Sequence, residues 1–426
     1  MRLRILAITI LLPHCNFDPE QSGELCIYTA RSEDQIRREL PNFVTAHPGI
    51  RLRCPAITEN DAIICQEGTA AQCDREESAW EVLRQSTGTL TDTLVTQSKG
   101  ELPADALWGV AVSHVRYLYN RDPGMFRRYL PQHTARVQKY LEQHGGGEKD
   151  SFWSWFLDST YTDVSVDQPL WVGVDAFTVA FCVNTRKLAA ANLADPEAGA
   201  YLVPEALTTW QSLLDPRLTG KIAAPQPNKS GTGFAQLAGT LRPDYLPCDG
   251  LAADCDHWAE LAALDRQVAI YTKSGDLPCE LAAQKSSPII IGISHDGADF
   301  LRDRNDATQK FYDDSTQMMR VLPEGAGFDV AVSTLVEHPQ IKPAAQTFLD
   351  WASSPEAMAL YAESTPLTAY NPTAVDIPKD LLARLEGLAL DFRETAKVMD
   401  ALKASWSCQF CPERPIEDDL SAELWD

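Results

Sequence analysis

The chain alternates short runs of strand-forming residues with amphipathic helical stretches. A predicted strand at Leu25–Thr29 leads into an apolar helical stripe formed by Ile36, Leu40 and Phe43. Ser32 stands where an N-cap residue is expected, just ahead of that stripe. The alternating stretch "GIRLRC" follows as a second strand. Strand, helix and strand in this order predict a βαβ unit, and therefore a parallel sheet in an α/β fold.

Two β-rich runs are unusually long. They span Asp167–Thr185 and Met318–Val336. Strands of that length suit crossings between two domains. Two α/β lobes joined by two such crossings would form a hinged clamp, and small ligands bind in clefts of that kind.

The predicted organisation has four parts and no internal repeats. The insertion in the first lobe has its own cysteines, and the chain after it, from Ala79 to Val110, predicts a helix followed by a strand. The parts are an export or lipoprotein signal at 1–22, a first lobe at 23–174 plus 321–350 with an insertion at 55–78, a second lobe at 175–320, and C-terminal helices with a cysteine-containing tail at 351–426.

The N-terminal segment predicts export. Arg2 and Arg4 precede the apolar run Ile5–Leu12, which is the pattern of a secretory signal and is too short to span a bilayer. Lipidation at Cys15, shortly after that run, is an alternative, although His14 is a poor match to the small residues that normally precede a lipidated cysteine. A wrongly assigned start codon is the third interpretation. The expected location is the periplasm or another extracytoplasmic site.

The formal net charge of −23 narrows the set of expected partners. The apolar fraction of 44% and the charged fraction of 23% are ordinary for a globular protein. The net charge therefore comes from an excess of acidic over basic residues, not from an unusual number of charged residues. A surface this acidic repels phosphate backbones and anionic lipid, which excludes nucleic acid as a partner. A small anion can still bind, because a local site can override the global field.

The cysteine content also supports export. Eleven cysteines is an unusual density for a reducing compartment, and ten remain if Cys15 is removed or lipidated. Connectivity cannot be deduced from sequence. Pairs that lie close together along the chain are Cys65 with Cys73, Cys248 with Cys255, and Cys408 with Cys411. The last is a C-x-x-C motif, for which a disulfide is favoured over zinc because one such motif cannot supply four ligands.

The stretch Ser230-Gly231-Thr232-Gly233 predicts the start of a helix. Unpaired amides, the positive end of the helix dipole and glycines that allow close approach make such a start an anion site, suited to phosphate or phosphonate. The alternative is that Ser230 only caps the helix while the glycines form the turn. A nucleotide P-loop is not expected, because Lys229 precedes the glycines instead of following them. The apolar stripe of this helix consists of Phe234, Leu237, Ala238 and Leu241.

Catalytic chemistry is not expected. Ser294, His295 and Asp296 are adjacent, and neighbours on a strand point to opposite faces, so they cannot form a triad among themselves. The metalloprotease motif H-E-x-x-H and the dinucleotide spacing G-x-G-x-x-G are both absent. Neither a metal nor a cofactor is predicted.

Several segments together resemble the periplasmic solute-binding proteins of ABC importers, in the branch for 2-aminoethylphosphonate, whose relatives take up sugar phosphates or ferric ion. The resemblance runs from residue 24 to residue 370 and leaves out the insertion and the tail after residue 372. It implies a type II two-lobe binding-protein fold without catalytic activity, and a monomer that delivers a small anionic solute to an ABC permease in the membrane. The matching segments are "IYTARSEDQI", "RQSTGTLTDTLVTQSKGELPADALWG", "WVGVDAFTVAFCVNT", "TWQSLLDPRLTGKIAAPQPNKSGTGF", "YTKSGDLPCELAA" with "IIIGIS", and "VLPEGAGFDVAV".

The resemblance also implies a set of ligand-binding residues. A ligand ammonium would pair with Asp175, Asp296 or Asp329, under aromatic cover from Trp108 or Tyr271. Each carboxylate has the alternative of a solvated surface charge, and Trp108 could equally belong to the core. Residues implied to hold the phosphonate oxygens are Thr29, Ala30, Ser230, Gly231, Thr232 and Gly233. The other implied cleft residues are Arg31, Ser86, Thr87, Gly88, Gly109 and Ser274.

Departures from the family pattern bear on the ligand. Lys273 replaces the family's histidine and favours a second negative charge on the ligand, as in a sugar phosphate or a phosphonocarboxylate. His295 replaces an aromatic residue. Ferric-ion relatives use paired adjacent tyrosines, whereas Tyr271 is followed by Thr272, which disfavours iron. Two alternatives stay open: a ferric-ion carrier, and a sensor that reports a ligand to a membrane kinase, which the insertion and the tail would suit.

Overall fold

The structure is a computed structural model of the 426-residue chain. The residues that it describes are 23–54, 62–65, 80–97, 102–134, 168–194, 202–241, 256–295, 311–313, 318–321, 323, 326–364, 392–409 and 416–417. The predicted signal at 1–22, most of the insertion and most of the tail lie outside these ranges.

Strands and helices alternate along the described chain, which confirms the predicted α/β class. The strands are β1 (Gly23–Leu25), β2 (Ile27–Thr29), β3 (Ile50–Leu52), β4 (Ala62–Cys65), β5 (Trp80–Arg84), β6 (Ala106–Ala111), β7 (Phe126–Arg127), β8 (Val172–Thr178), β9 (Ala180–Asn184), β10 (Ile222–Pro225), β11 (Val268–Thr272), β12 (Ile291–Ser294), β13 (Phe311–Asp313), β14 (Met318–Val321), β15 (Phe328–Val336) and β16 (Ile416–Glu417). The α-helices are α1 (Glu33–Ala46), α2 (Thr87–Thr96), α3 (Val112–Arg121), α4 (Thr185–Ala194), α5 (Gly231–Leu241), α6 (Asp256–Gln267), α7 (Leu277–Ala283), α8 (Pro343–Ala352), α9 (Pro355–Ser364) and α10 (Phe392–Gln409).

The first sheet has the strand order β4-β5-β2-β6-β15-β7, with β8 beside β15. Strand β2 is parallel to β5 and β6, while β15 runs antiparallel to β6 and β8. Strands β1 and β3 form a separate parallel pair on either side of α1, so the predicted βαβ unit is confirmed. The helix and the strand predicted over Ala79–Val110 are present as α2 and β6, but strand β5 precedes them and was not predicted. Strand β4, from the insertion, pairs antiparallel with β5 at the sheet edge.

Helix α1 shows how closely the sequence pattern sets local structure. The Ser32 hydroxyl accepts a hydrogen bond from the Gln35 amide at 3.3 Å, and the Gln35 side chain accepts one from the Ser32 amide at 3.0 Å, which completes a capping box. Ile36, Leu40 and Phe43 are all fully buried. The predicted cap and apolar stripe are therefore confirmed.

The second sheet has the order β13-β14-β9-β12-β10-β11-β16. Strand β10 is parallel to β11 and β12, and β9 runs antiparallel to β12 and β14. Helix α5 follows β10 across a short loop, and its predicted apolar stripe is buried throughout. The start of α5 therefore lies at the carboxyl end of a parallel strand, where α/β proteins bind ligands.

The chain passes between the two sheets twice. Strand β8 pairs in the first sheet as far as Thr178, and β9 begins in the second sheet at Ala180. Strand β14 ends in the second sheet at Val321, before β15 returns the chain to the first. The first change of sheet thus falls at Val179, not between residues 174 and 175 as predicted, and Val321 pairs outside the lobe assigned to it. Burial is nearly continuous along β8 and β9, so no change in polarity marks the boundary.

The C-terminal helices pack against both sheets instead of forming a separate part. Phe348 of α8 packs edge to face against Phe43 of α1, with ring centroids 5.1 Å apart. Helix α10 lies along α3, while its Trp406 packs against Tyr271 of β11 at 5.6 Å. Strand β16 extends the second sheet. No helix in the described part of the chain is long and apolar enough to cross a membrane.

Within the described residues, two disulfides are formed. Cys26–Cys54 joins the segment between β1 and β2 to the chain after β3, and Cys182–Cys279 joins β9 to α7. Both link positions that are distant in sequence and close in the fold, so proximity along the chain did not suggest them. The pairs that it did suggest fall at least partly on residues outside the described ranges.

Candidate functional site

A cleft that is open to solvent lies between the two sheets. The residues that line it from the first sheet and its helices are Ala30, Arg31, Gln35, Arg84, Ser86, Thr87, Gly109, Asp175, Phe177 and Ala331. Those that line it from the second sheet are Ser230, Gly231, Thr232, Ser274, Gly275, Asp276 and His295. Both lobes therefore contribute polar and charged groups to one cleft.

The start of α5 faces this cleft. The Ser230 hydroxyl accepts a hydrogen bond from the Gly233 amide at 3.3 Å, so Ser230 does cap the helix. Among the described residues, the amides of Gly231 and Thr232 have no acceptor, as expected of the first helical turn. The Thr232 hydroxyl lies 3.3 Å from Nδ1 of His295. Capping and an open, positively polarised helix start thus occur together.

The guanidinium of Arg31 is buried at the base of the cleft between two carboxylates. Its Nε lies 2.6 Å from Glu39, its Nη2 donates to Glu39 at 2.9 Å, and its Nη1 donates to Asp175 at 2.9 Å. The rings of Tyr361 and Trp108 lie 4.6 and 5.4 Å from its central carbon. Burial opposes the positive charge, but the carboxylates raise the pKa of Arg31 above its ordinary value. Asp175 therefore lines the cleft with a cationic partner already in place.

A second ionic cluster lies across the cleft at Asp276, the N-cap of α7. His295 Nε2 is 2.9 Å from the carboxylate, Arg84 approaches it at 3.7 Å, and the Ser274 hydroxyl donates to it at 3.3 Å. Burial favours the protonated acid, but His295 and Arg84 outweigh it and lower the pKa of Asp276 to about 2. Asp276 is therefore ionised at neutral pH, and its partners Arg84 and His295 come from both lobes.

Most of the residues predicted for the site lie in the cleft. The predicted residues found there are Ala30, Arg31, Ser86, Thr87, Gly109, Asp175, Ser230, Gly231, Thr232 and Ser274. Of the other predicted residues, Asp296 lies outside the described part of the chain.

Four predicted residues point elsewhere. The Thr29 hydroxyl donates to the Trp108 carbonyl at 2.8 Å, and the indole of Trp108 donates to Tyr361 at 3.1 Å, so both belong to the core. The Tyr271 hydroxyl donates to Asp265 at 2.8 Å, away from the cleft. A Cβ at Gly233 would lie 2.6 Å from the carbonyl oxygen of Pro225, so this glycine serves close packing of the loop before α5.

Several cleft residues were missed in the sequence. Arg84 is the last residue of β5, and it pairs in register with Thr29, the last residue of the parallel strand β2. Ligand sites gather at the carboxyl ends of parallel strands, so a correct assignment of β5 would have indicated Arg84. Asp276 and Phe177 carried no comparable signal, because only the meeting of the two lobes brings them together.

Asp329, predicted as a partner for a ligand ammonium, is buried behind the cleft. Its carboxylate accepts hydrogen bonds from the Ser113 hydroxyl and the Val330 amide, and the Ser113 hydroxyl in turn lies 3.0 Å from His114. Burial raises the pKa of Asp329 to about 7 despite these hydrogen bonds. It therefore stays protonated in the folded protein at pH values where the unfolded chain ionises it.

This raised pKa makes stability depend on pH in a defined direction. Between the unfolded pKa of about 4 and the folded value of about 7, the folded state holds the extra proton, so the free energy of unfolding falls as pH rises. Asp329→Asn is expected to flatten that part of the profile, because an amide of nearly the same shape does not titrate in this pH range. Denaturant unfolding of both proteins at pH 4 to 8 measures the slopes, and equal slopes would contradict the assignment.

Two α/β lobes, each built on one sheet, are joined by crossing strands and have a polar cleft between them. This arrangement defines the class of hinged two-lobe binding proteins. The chain belongs to the family of bacterial extracellular solute-binding proteins, whose family model matches residues 77–385. Members of this family deliver small solutes to ABC permeases, and the family implies a periplasmic location. The predicted family and type II fold are confirmed.

Individual proteins are similar to this chain over most of its length. A protein of Haemophilus influenzae, described only as uncharacterized, is 25% identical over 299 residues, which cover 70% of this chain and 72% of that protein. Among solved structures, the periplasmic binding protein P5PA shares 17% identity at a TM-score of 0.59, with 91% of this chain and all of that chain covered.

Two further solved structures show the same fold. AfuA from Actinobacillus pleuropneumoniae, a periplasmic binding protein with fructose 6-phosphate bound, shares 17% identity at a TM-score of 0.59, over 91% of this chain and 99% of its own. The apo ferric ion-binding protein A of Pasteurella haemolytica shares 15% identity at a TM-score of 0.54, over 94% and 100% of the two chains. Similarity at these identities shows the fold and does not identify the ligand. The ligand has to be inferred from the residues of the cleft.

Proposed function

We propose that the protein captures a small phosphate ester or phosphonate in the cleft between its lobes and delivers it, chemically unchanged, to an ABC permease. The observation that supports this proposal is the open start of α5. The amides of Gly231 and Thr232 have no acceptor within the described residues, and they face a cleft that also contains the guanidinium of Arg84.

The magnitudes fit a transport protein. Each charge-assisted hydrogen bond to a phosphate oxygen contributes about 1.5–3 kcal/mol. Two helix amides, the Thr232 hydroxyl and Arg84 offer about four such bonds, which after association costs allow binding near −8 kcal/mol, a micromolar dissociation constant. The helix dipole adds to the attraction of an oxyanion.

The charges in the cleft favour an ester with a neutral, hydroxyl-bearing body. Asp175 is paired with Arg31, and Asp276 is paired with His295 and Arg84. A ligand ammonium would therefore meet carboxylates that already have a cationic partner, and it would gain less than the resemblance implied. Carboxylates held in this way still accept hydrogen bonds from sugar hydroxyls.

The ferric-ion alternative has less support. Iron carriers of the resembling branch need tyrosinate oxygens in the cleft, and the hydroxyl of Tyr271 is bonded to Asp265 outside it. Lys273, predicted to add positive charge to the site, is also not among the lining residues of the cleft. The arginines that line the cavity are Arg31 and Arg84.

Arg84→Gln is expected to weaken the binding of fructose 6-phosphate about tenfold or more, because one charge-assisted hydrogen bond and the charge behind it are lost. Calorimetric titration with fructose 6-phosphate, 2-aminoethylphosphonate and inorganic phosphate measures the effect. Arg53→Gln is the matched control, since that side chain is 71% exposed on the first lobe. Failure of all three compounds to bind the wild-type protein would contradict the proposed function, and equal affinities of Arg84→Gln and wild type would remove Arg84 from the site.

A further inference from the structure

The start of α2, in the first lobe, is bonded to a backbone group of the second lobe. Three donors converge on the carbonyl oxygen of Lys229: the Ser86 hydroxyl at 2.6 Å, the Gly88 amide at 3.0 Å and the Thr89 amide at 3.3 Å. These are the groups that would otherwise be unpaired at a helix N-terminus. A protein carbonyl therefore occupies the start of α2, a segment that the resemblance implied to line the cleft.

The fit at this contact is close on both sides. A Cβ added at Gly88 would lie 2.5 Å from the carbonyl carbon of Lys229, and one added at Gly231 would lie 3.0 Å from the Thr87 side chain. The Lys229 ammonium also lies 2.9 Å from Asp92 on α2. Two helix starts, one from each lobe, thus meet through glycines.

The neighbouring residue of the same loop is held from another direction. The Asn228 side chain donates to Ser407 of α10 at 2.5 Å. Nearer the start of α10, Asp400 accepts a hydrogen bond from Tyr117 of α3, in the first lobe, at 2.6 Å. The loop before α5 is therefore fixed to the first lobe directly through α2 and indirectly through α10.

We propose that the contact of Ser86, Gly88 and Thr89 with the Lys229 carbonyl is a latch that holds the lobes closed without ligand. Ser86 and Gly88 are positioning residues in this assignment: they act through Lys229, which directly precedes Ser230 and the helix start that faces the cleft. Opening the lobes breaks three hydrogen bonds to one carbonyl, none of which involves a bound solute. Lobe closure therefore rests partly on the protein itself, and affinity for the solute depends on residues that need not touch it.

Gly88→Ala tests the latch, because its methyl group would collide with the Lys229 carbonyl. Alanine raises helix propensity relative to glycine, so the variant is expected to fold. Small-angle scattering of the unliganded full chain is expected to show a larger radius of gyration for Gly88→Ala than for wild type. Ser86→Ala, which removes one hydrogen bond, is expected to shift in the same direction by less. Thr96→Ala, at an exposed position on the same helix, is the control and is expected to match wild type.

The binding measurement rests on the proposed function, whereas the scattering measurement does not. Gly88→Ala is expected to bind fructose 6-phosphate about tenfold more weakly, since fewer molecules are in the closed form. If no phosphate ester binds the wild-type protein, the scattering comparison still decides whether the latch exists. Identical scattering of Gly88→Ala and wild type would overturn the proposal, whether the common form is open or closed.

Discussion

Arg31→Met is expected to lower the free energy of unfolding by about 3–5 kcal/mol, the range observed when one partner of a buried ion pair is removed. Arg31 is only 3% exposed and Glu39 is fully buried, so water cannot replace the lost guanidinium. Glu39 and Asp175 would be left facing each other as uncompensated carboxylates. Guanidinium chloride unfolding at pH 7, followed by circular dichroism, measures the change.

The control for this prediction is Arg37→Met on helix α1. Arg37 forms an i,i+4 pair with Glu33 at 2.6 Å, but Glu33 is 55% exposed, and such pairs contribute about 0.5 kcal/mol or less. Arg31→Lys is expected to restore little, because an ammonium cannot bond Glu39 and Asp175 together as the planar guanidinium does. A loss below about 1 kcal/mol in Arg31→Met would show that the carboxylates become protonated at little cost.

The cluster around Arg31 also explains why the site residues were only partly predictable. The family resemblance brought Arg31 and Asp175 to the cleft, yet their pairing joins positions separated by 144 residues and depends on the pairing of β8 with β15 in the first sheet. No local pattern contains that information. The sequence therefore suggested Asp175 as a partner for a ligand cation, whereas the structure gives it an internal one.

Local elements were predictable where local chemistry decides them. The cap at Ser32 and the buried stripes of α1 and α5 follow from spacing alone, and both are present. Strand β5 was not predictable from local chemistry, because its short run of mixed residues resembles a helical turn and its burial comes from neighbouring strands. That error hid Arg84, which shows how a missed strand removes a functional residue from consideration.

The direction of side chains at strand ends was the other feature that the sequence did not predict. Trp108 and Tyr271 belong to segments that form the cleft, but they project from β6 and β11 into packed regions against Tyr361 and Trp406. Adjacent positions on a strand point to opposite faces, so a shift of one residue separates a cleft residue from a core residue. The resemblance identified the segments that form the cleft. The alternation of side chains along each strand determines which of them face it.

The disulfide Cys182–Cys279 carries the second large expected effect. Its removal in Cys182→Ala/Cys279→Ala is expected to lower the free energy of unfolding by about 4–5 kcal/mol, because the bond closes a long loop in the unfolded chain. Both sulfurs are buried in a cluster with Ile270 and Leu281, so small cavities add to the loss. Thermal and denaturant unfolding without reductant measures the difference.

The matched control is Cys26→Ala/Cys54→Ala, which opens a shorter loop. The sequence separations are 97 and 28 residues, and loop entropy alone makes the longer closure about 1 kcal/mol more stabilising. Cys279 also follows Asp276 on α7, so the first double variant is expected to weaken fructose 6-phosphate binding while the control leaves it unchanged. A larger stability loss in the control would show that native packing around Cys26 outweighs loop entropy. Unchanged binding in Cys182→Ala/Cys279→Ala would show that Ser274 and His295 hold Asp276 in place without the covalent tether.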